Sequence, residues 1–247
     1  MPNTNQQTSE IEAFAQGFIK LVSSLGAVVL EWAWCELVLQ AGWLPHASVP
    51  PALIADAADV QDADKRLRDF YRENWPTIEM SLRASVGQSD VDLEAKESFD
   101  ECLRAHALGL YRTAPAVLFP QIERVARSAL LPNAMGASAA NRMFEAIGKL
   151  GASEFTMPGV SGVRLYQKMA EHLYKQVWTP AEVQEACLDP VPNRHAALHG
   201  RVSYASEKSS LNMLIMTDFI FDAISKVARE DRTRLAQADF GAGRQRA

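Results

Sequence analysis

The sequence predicts an all-α fold, and three observations carry that expectation. Apolar residues recur at three- and four-residue spacings along most of the chain, the period of a helix with one buried face. No stretch alternates apolar and polar residues over the length of a strand. Helix start and stop signals, such as Thr179-Pro180-Ala181-Glu182 and Gly200, punctuate the periodic segments.

Taken in order, Ser9-x-x-Glu12 resembles a capping box that opens a helix to about Gly42, kinked near Ser23-Ser24-Leu25-Gly26 and ended by Pro45, Pro50 and Pro51. A second helical region covers about Pro51 to Ser85, broken at Trp75-Pro76, and the turn Gly87-Gln88-Ser89-Asp90 closes it. One helix then runs from Asp92 toward His106 and another from Leu110 to Leu131, with Pro115 and Pro120 marking a kink or a fresh start. Pro132 to Ser138 reads as loop, Ala139 to Leu150 as helix and Gly151 to Gly162 as a loop that orders on binding. A helix from Ser161 to about Trp178 precedes the Thr179 cap. The last helix carries the apolar run Leu211 to Ile224 and frays after about Ala236. These signals divide the chain into an N-terminal helical region (1–91), a helical domain (92–236) and a disordered tail (237–247).

Composition narrows the function. The 247 residues, 48% of them apolar, suffice for a packed core. With 25 basic and 30 acidic residues the net charge is −5, which excludes a protein that coats nucleic acid through general phosphate neutralisation; any such contact is local. Cys35, Cys102 and Cys187 are far apart and odd in number, so the expectation is buried thiols in a reducing, cytoplasmic setting. The polar N-terminus has no basic signal region, and Lys20, Glu31 and Glu36 interrupt the most apolar stretch, Phe18 to Trp43, so no membrane span is expected.

The densest chemistry lies in Pro192-Asn193-Arg194-His195-Ala196-Ala197-Leu198-His199-Gly200. Asn193 suits a helix N-cap and Gly200 the position just past a C-cap, which predicts a short exposed helix presenting ionisable groups. From Asn193 to Lys208 the fixed charges are Arg194, Arg201 and Lys208 against Glu207, a basic spot on an acidic protein. On an ideal helix Arg194 and His199 stand about 140° apart, so one chain does not focus both on one phosphate.

The pattern Arg194-x-x-x-x-His199, with Asn193 before it and His195 inside it, resembles the signature of the HEPN superfamily, the higher eukaryotes and prokaryotes nucleotide-binding domains. The string Asn193-Arg194-His195-x-x-x-His199-Gly200, with Tyr204, Ser210-Leu211-Asn212 and Asp218-Phe219 after it, is similar to a bacterial HEPN-like group. So are Leu110-Tyr111-Arg112-Thr113-Ala114-Pro115 and Phe119-Pro120-Gln121-Ile122-Glu123. The resemblance covers about Asp92 to Val227 and implies that 92–236 forms an HEPN-like helical bundle, to which the N-terminal helices are an addition. It implies a homodimer whose two motifs share a cleft, acting as a metal-independent endoribonuclease of the toxin or anti-phage defence kind, with an antitoxin or regulatory protein as a possible further partner. Arg194 would then clamp phosphate, His199 would transfer protons, Asn193 and His195 would position them, and Glu123 would orient Arg194, with a solvated or structural ion pair as the alternative for Glu123. No cofactor is implied. Histidine and arginine suit such chemistry, one as a proton carrier near neutrality and the other as a permanent planar cation for phosphate oxygens.

Other readings stay open beside this one. A non-catalytic module of the same kind would bind a nucleotide or a protein partner in the same cleft. Arg194 could instead satisfy Glu185 or Asp189, and His199 could be a helix-end cation. Tyr204 either stacks a base or is an ordinary half-buried tyrosine. His195 and His199 have the i, i+4 spacing of a metal pair, but no third ligand is visible and no metal is expected. Asp56, Asp59, Asp62 and Asp64 lack calcium-loop spacing, and the tryptophans Trp32, Trp34, Trp43, Trp75 and Trp178 are expected in the core or a helix interface.

Overall fold

The computed structural model describes residues 28–130, the helical positions 162, 165, 168, 169 and 171–173, and residues 175–244. Helices and their connections make up all of it, with no strand among the described residues. The expectations for the helix start at Ser9, the Ser23–Gly26 kink, the 132–138 loop, the 139–150 helix and the loop before Gly162 lie outside the described residues.

Helix α1 covers 28–40 and ends where the Gly42 N–H donates to Leu39 and the Trp43 N–H to Val38. Gly42 has φ +75°, and a Cβ there would stand 2.6 Å from Pro190 Cγ, so both the left-handed turn and the close approach require glycine. A 3-10 turn at Pro51–Leu53 leads to α2 (Val60–Glu73), whose N-cap Asp59 accepts from the Asp62 N–H. The chain breaks at Asn74 and restarts as α3 (Trp75–Gln88), with Pro76 in its first turn where no N–H is needed. Asp92 caps α4 (Leu93–Ala107), and α5 spans Thr113–Leu130. Pro120 lies inside α5 without ending it: Pro120 and Ala116 are both exposed, so water reaches the carbonyl that the missing N–H leaves unpaired.

The helical positions between 162 and 173 form α6. It stops short of the expected Trp178, because 175–178 are not helical. There the Val177 and Trp178 N–H groups turn to side chains, His195 Nδ1 and Glu182 Oε2, instead of to the preceding turn. Then come α7 (Pro180–Leu188), the short α8 (Arg194–Leu198) and the long α9 (Glu207–Arg244). α9 remains helical well past Ala236, through most of the segment expected to be a tail.

α9 is the axis of the bundle. Leu211, Met213, Leu214, Ile215, Met216, Phe219, Ile220, Phe221 and Ile224 are all buried, an apolar pattern on every face that requires partners all round. α5 packs most extensively against it, with α3 and α4 alongside. α2 and α3 contribute stripes at i, i+4, i+8, Ala63-Leu67-Tyr71 and Ile78-Leu82-Val86. One apolar core runs from Trp34 to Val227 across residue 91, and the Asp90 N–H donates to Ser225 Oγ at 2.8 Å, so the expected boundary at 91 does not separate two cores.

Polar groups lock the N-terminal loop onto α9. Asn212, fully buried, accepts from the Leu44 N–H at 2.9 Å and donates to the Gly42 and Pro190 carbonyls. Lys208 donates to Asp64 at 2.7 Å and to the Ala41 carbonyl, and its ammonium stands 4.9 Å from the Trp43 ring centroid. No described helix is long and apolar enough to cross a membrane. Of the cysteines, Cys35 and Cys102 are buried as expected, whereas Cys187 is exposed.

Candidate functional site

The segment from Gln176 to Tyr204 folds as expected at its caps and differently on its faces. Asn193 is the N-cap of α8: its Oδ1 accepts from the Ala196 N–H at 2.9 Å. At the other end Gly200, with φ +63°, donates to the Ala197 carbonyl while Arg201 donates to Ala196, the paired bonds of a Schellman stop. Yet α8 is not the exposed helix the sequence suggests. Asn193, His195 and Ala196 are buried, because this single turn is sandwiched between α5 and the 175–178 loop.

Asn193 and Tyr204 hold that turn in place. The Asn193 side chain also donates to the Lys175 carbonyl, and its backbone N–H donates to the Tyr204 hydroxyl at 3.0 Å. Tyr204 is buried with φ +43°, a left-handed conformation uncommon for a non-glycine residue, and burial pushes its phenol up to about 12, so it stays protonated. Its ring is therefore not free to stack a base.

Arg194 points toward α5 and α6. Its Nε donates to the Leu173 carbonyl at 3.0 Å and its Nη1 to Glu123, while Glu185 bonds to Lys175 instead and Asp189 faces His172 and Lys168. No described residue takes Arg194 Nη2. The guanidinium is partly exposed, so one edge of the fork remains open to solvent.

His195 and His199 leave α8 on the other side. Their ring centroids lie 4.4 Å apart, and Trp178 stands 4.4 Å from His195 and 6.2 Å from His199. The Val177 N–H donates to His195 Nδ1 at 3.3 Å, which fixes the neutral ring with its proton on Nε2. Burial, then the neighbouring His199, Arg201 and Arg194, hold His195 below the usual histidine range. Its Nε2 is buried without a hydrogen-bond partner. His199, the C-cap of α8, is exposed. The structure thus brings His195 and His199 together, pairs Arg194 with Glu123, and separates those two pairs on opposite sides of one helical turn.

One residue of this cluster, Trp178, carried no sequence signal of a site, whereas Arg201 belongs to the expected basic spot. Trp178 was expected in the core or a helix interface but is 56% exposed, and the Arg201 guanidinium lies 4.9 Å from its ring centroid. Trp178 is more than a dozen residues from the motif in sequence, outside any aromatic and basic run, and only the break before Pro180 hints that its side chain is released from a helix face.

A cleft with about 430 Å³ of empty space opens on the Asn193 side, lined by Lys168, His172, Lys175, Asp189 and Tyr204 among others but not by His195 or His199. Its ammonium and carboxylate groups pair with each other, and burial holds His172 down at about 4 despite Asp189. Among the described residues no group of three or more His, Cys, Asp or Glu side chains is arranged to hold a metal ion. Compared with known proteins, the chain matches no family model, no curated protein and no solved structure.

Proposed function

We propose that this chain is a metal-independent endoribonuclease of the HEPN-like toxin or anti-phage defence kind, working as a homodimer. One observation supports it above the others: exposed His199 lies against buried, neutral His195, the two rings tilted, within a cationic and aromatic surface formed with Arg201 and Trp178. An accessible imidazole takes the 2′-hydroxyl proton or protonates the leaving 5′-oxygen, and cations beside it stabilise the charge that builds on phosphorus. His199 is the proton-transfer residue. Arg194, oriented by Glu123, offers its remaining Nη2 donors to phosphate. Because Arg194 and His199 open to opposite sides of α8, a second copy related by a two-fold axis completes the cleft, and the exposed Leu188 and Leu198 supply apolar surface for that contact. An antitoxin or regulator binding this surface would silence it.

The Arg194–Glu123 pair also favours a second reading. A guanidinium already neutralised by a carboxylate is a weaker phosphate clamp, as expected of a non-catalytic module that binds a nucleotide or protein partner.

Incubation of the purified protein with single-stranded RNA in excess chelator separates the two. The endoribonuclease yields fragments ending in 2′,3′-cyclic phosphate, spares a substrate with 2′-deoxyribose at the scissile position, and loses at least about 100-fold in rate on His199→Ala. Intact RNA, or equal cleavage of the deoxy substrate, removes the proposal.

A further inference from the structure

We infer that Trp178 and Arg201 form a stacking subsite for an unpaired base of single-stranded RNA, next to His199; the inference rests on the ribonuclease reading for its substrate and names the part of the RNA that is recognised. A tryptophan that is 56% exposed is an unusual use of the largest apolar side chain, and this one is held in place rather than left loose. Its backbone N–H donates to Glu182 at 2.8 Å, its carbonyl accepts from Arg201 Nη1 at 2.8 Å, and its indole N–H donates to Gln176 at 2.8 Å. Such fixing removes the ordering cost that a mobile side chain would pay on binding.

The surroundings select the ligand. Arg201 carries no ion pair with a described carboxylate, so beside the indole stands a cation whose charge is not neutralised. His195 backs the plate from within: it is 7% exposed and its ring lies edge-on to Trp178, with the centroids 4.4 Å apart. An exposed aromatic plate with an unpaired guanidinium against it matches a π-faced anion, a base with its phosphate. A duplex cannot use the plate, because its bases are already stacked on each other.

The test uses a 2′-O-methyl single-stranded oligoribonucleotide, which lacks the attacking hydroxyl, titrated into the full chain and followed by fluorescence anisotropy. Trp178→Ala is expected to weaken binding about 10- to 100-fold, and Trp178→Phe to hold it within a few-fold, as one stacked base contributes. Arg201→Gln weakens it too, and a duplex of the same sequence binds the wild type no better than the single strand binds Trp178→Ala. Circular dichroism spectra matching the wild type confirm that the variants fold. Unchanged affinity in Trp178→Ala overturns the subsite, as does a Trp178→Ala effect confined to sedimentation, which would assign this surface to a second copy of the chain. Because binding is read without cleavage, the two ideas fail separately. A chain that binds through Trp178 and cuts nothing loses the ribonuclease reading and keeps the subsite; one that cuts RNA with the same affinity in Trp178→Ala does the reverse.

Discussion

At Arg194 and His199 the two halves of one sequence pattern carry different burdens. Arg194 bonds to the Leu173 carbonyl and to Glu123, tying α8 to α6 and α5, whereas exposed His199 accepts no such structural duty. Arg194→Ala therefore strands a partly buried carboxylate and a carbonyl, and a urea melt should report a loss of about 1 to 3 kcal/mol. His199→Ala should stay within about 0.5 kcal/mol of the wild type. Equal melts for the two variants would contradict this division. His195 makes a sharper statement, because the Val177 N–H bond requires an unprotonated Nδ1. Nitrogen-15 NMR at pH 7 should show a neutral ring with the proton on Nε2; the other tautomer, or a charged ring, would remove the bond that anchors the 175–178 loop. The motif itself was legible in the sequence, since the types and spacing of Asn193, Arg194, His195 and His199 are local facts. The partition of those side chains between two faces was not. The pairing of Arg194 with Glu123 was expected, but the grouping of His195 and His199 with Trp178 depends on tertiary packing.

Among the elements, the caps were the most readable feature. Thr179 and Asn193 cap helices through their side chains as expected, Asp92 caps the helix expected to run from it, and Gly200 ends α8 in the left-handed conformation its position suggests, whereas the Asp59 cap was not foreseen because that helical region was expected to begin at Pro51. Capping is governed by the few residues next to the end, so tertiary context seldom overrides it. The length of α6 was less readable: periodicity alone extends it to Trp178, but the bonds that end it come from Glu182 ahead and His195 on another element. The capping box at α7 thus has two tasks, starting the helix and holding the Trp178 backbone, since Glu182 Oε2 accepts from both Thr179 and Trp178. Thr179→Ala should lose about 1 kcal/mol of stability as an ordinary cap deletion. Glu182→Gln should cost less stability yet loosen the Trp178 loop, seen as faster amide exchange at Trp178 and Thr179. Unaltered exchange there would separate the cap from the loop.

The whole molecule is built round a helix that buries not only apolar side chains but also His46 and Asp218, facing each other at 3.9 Å between the N-terminal loop and α9. The all-α class was legible because helical periodicity is strong in α2 and α5. The single core crossing residue 91 was not, since the turn at 87–90 resembles a linker and the pairing of α2 and α3 with α9 is long-range. That core makes stability depend on pH in a defined way. Burial pushes Asp218 up to about 6, with Asp222 adding to it and Ser85 and Lys226 opposing, and burial pushes His46 down to about 4. His106 and His172 are likewise held at about 4. For each histidine the native state binds its proton less readily than the unfolded chain, so stability is complete above about pH 6.5 and falls as the pH drops toward 4. Asp218 acts oppositely: its contribution is complete below about pH 4 and is lost as the pH rises through 6. Three histidines outweigh one aspartate, so the protein should lose stability on acidification from pH 6.5 to 4. Asp218→Asn removes the opposing slope. It should leave stability at pH 4 nearly unchanged and raise it above pH 6.5 by on the order of 2 to 3 kcal/mol, the free energy of a shift from 3.8 to about 6. Denaturant melts of both proteins from pH 4 to 8 measure this directly. A variant less stable than the wild type at pH 7.5 would show that the Asp218 carboxylate is stabilised by its neighbours and not merely tolerated among them.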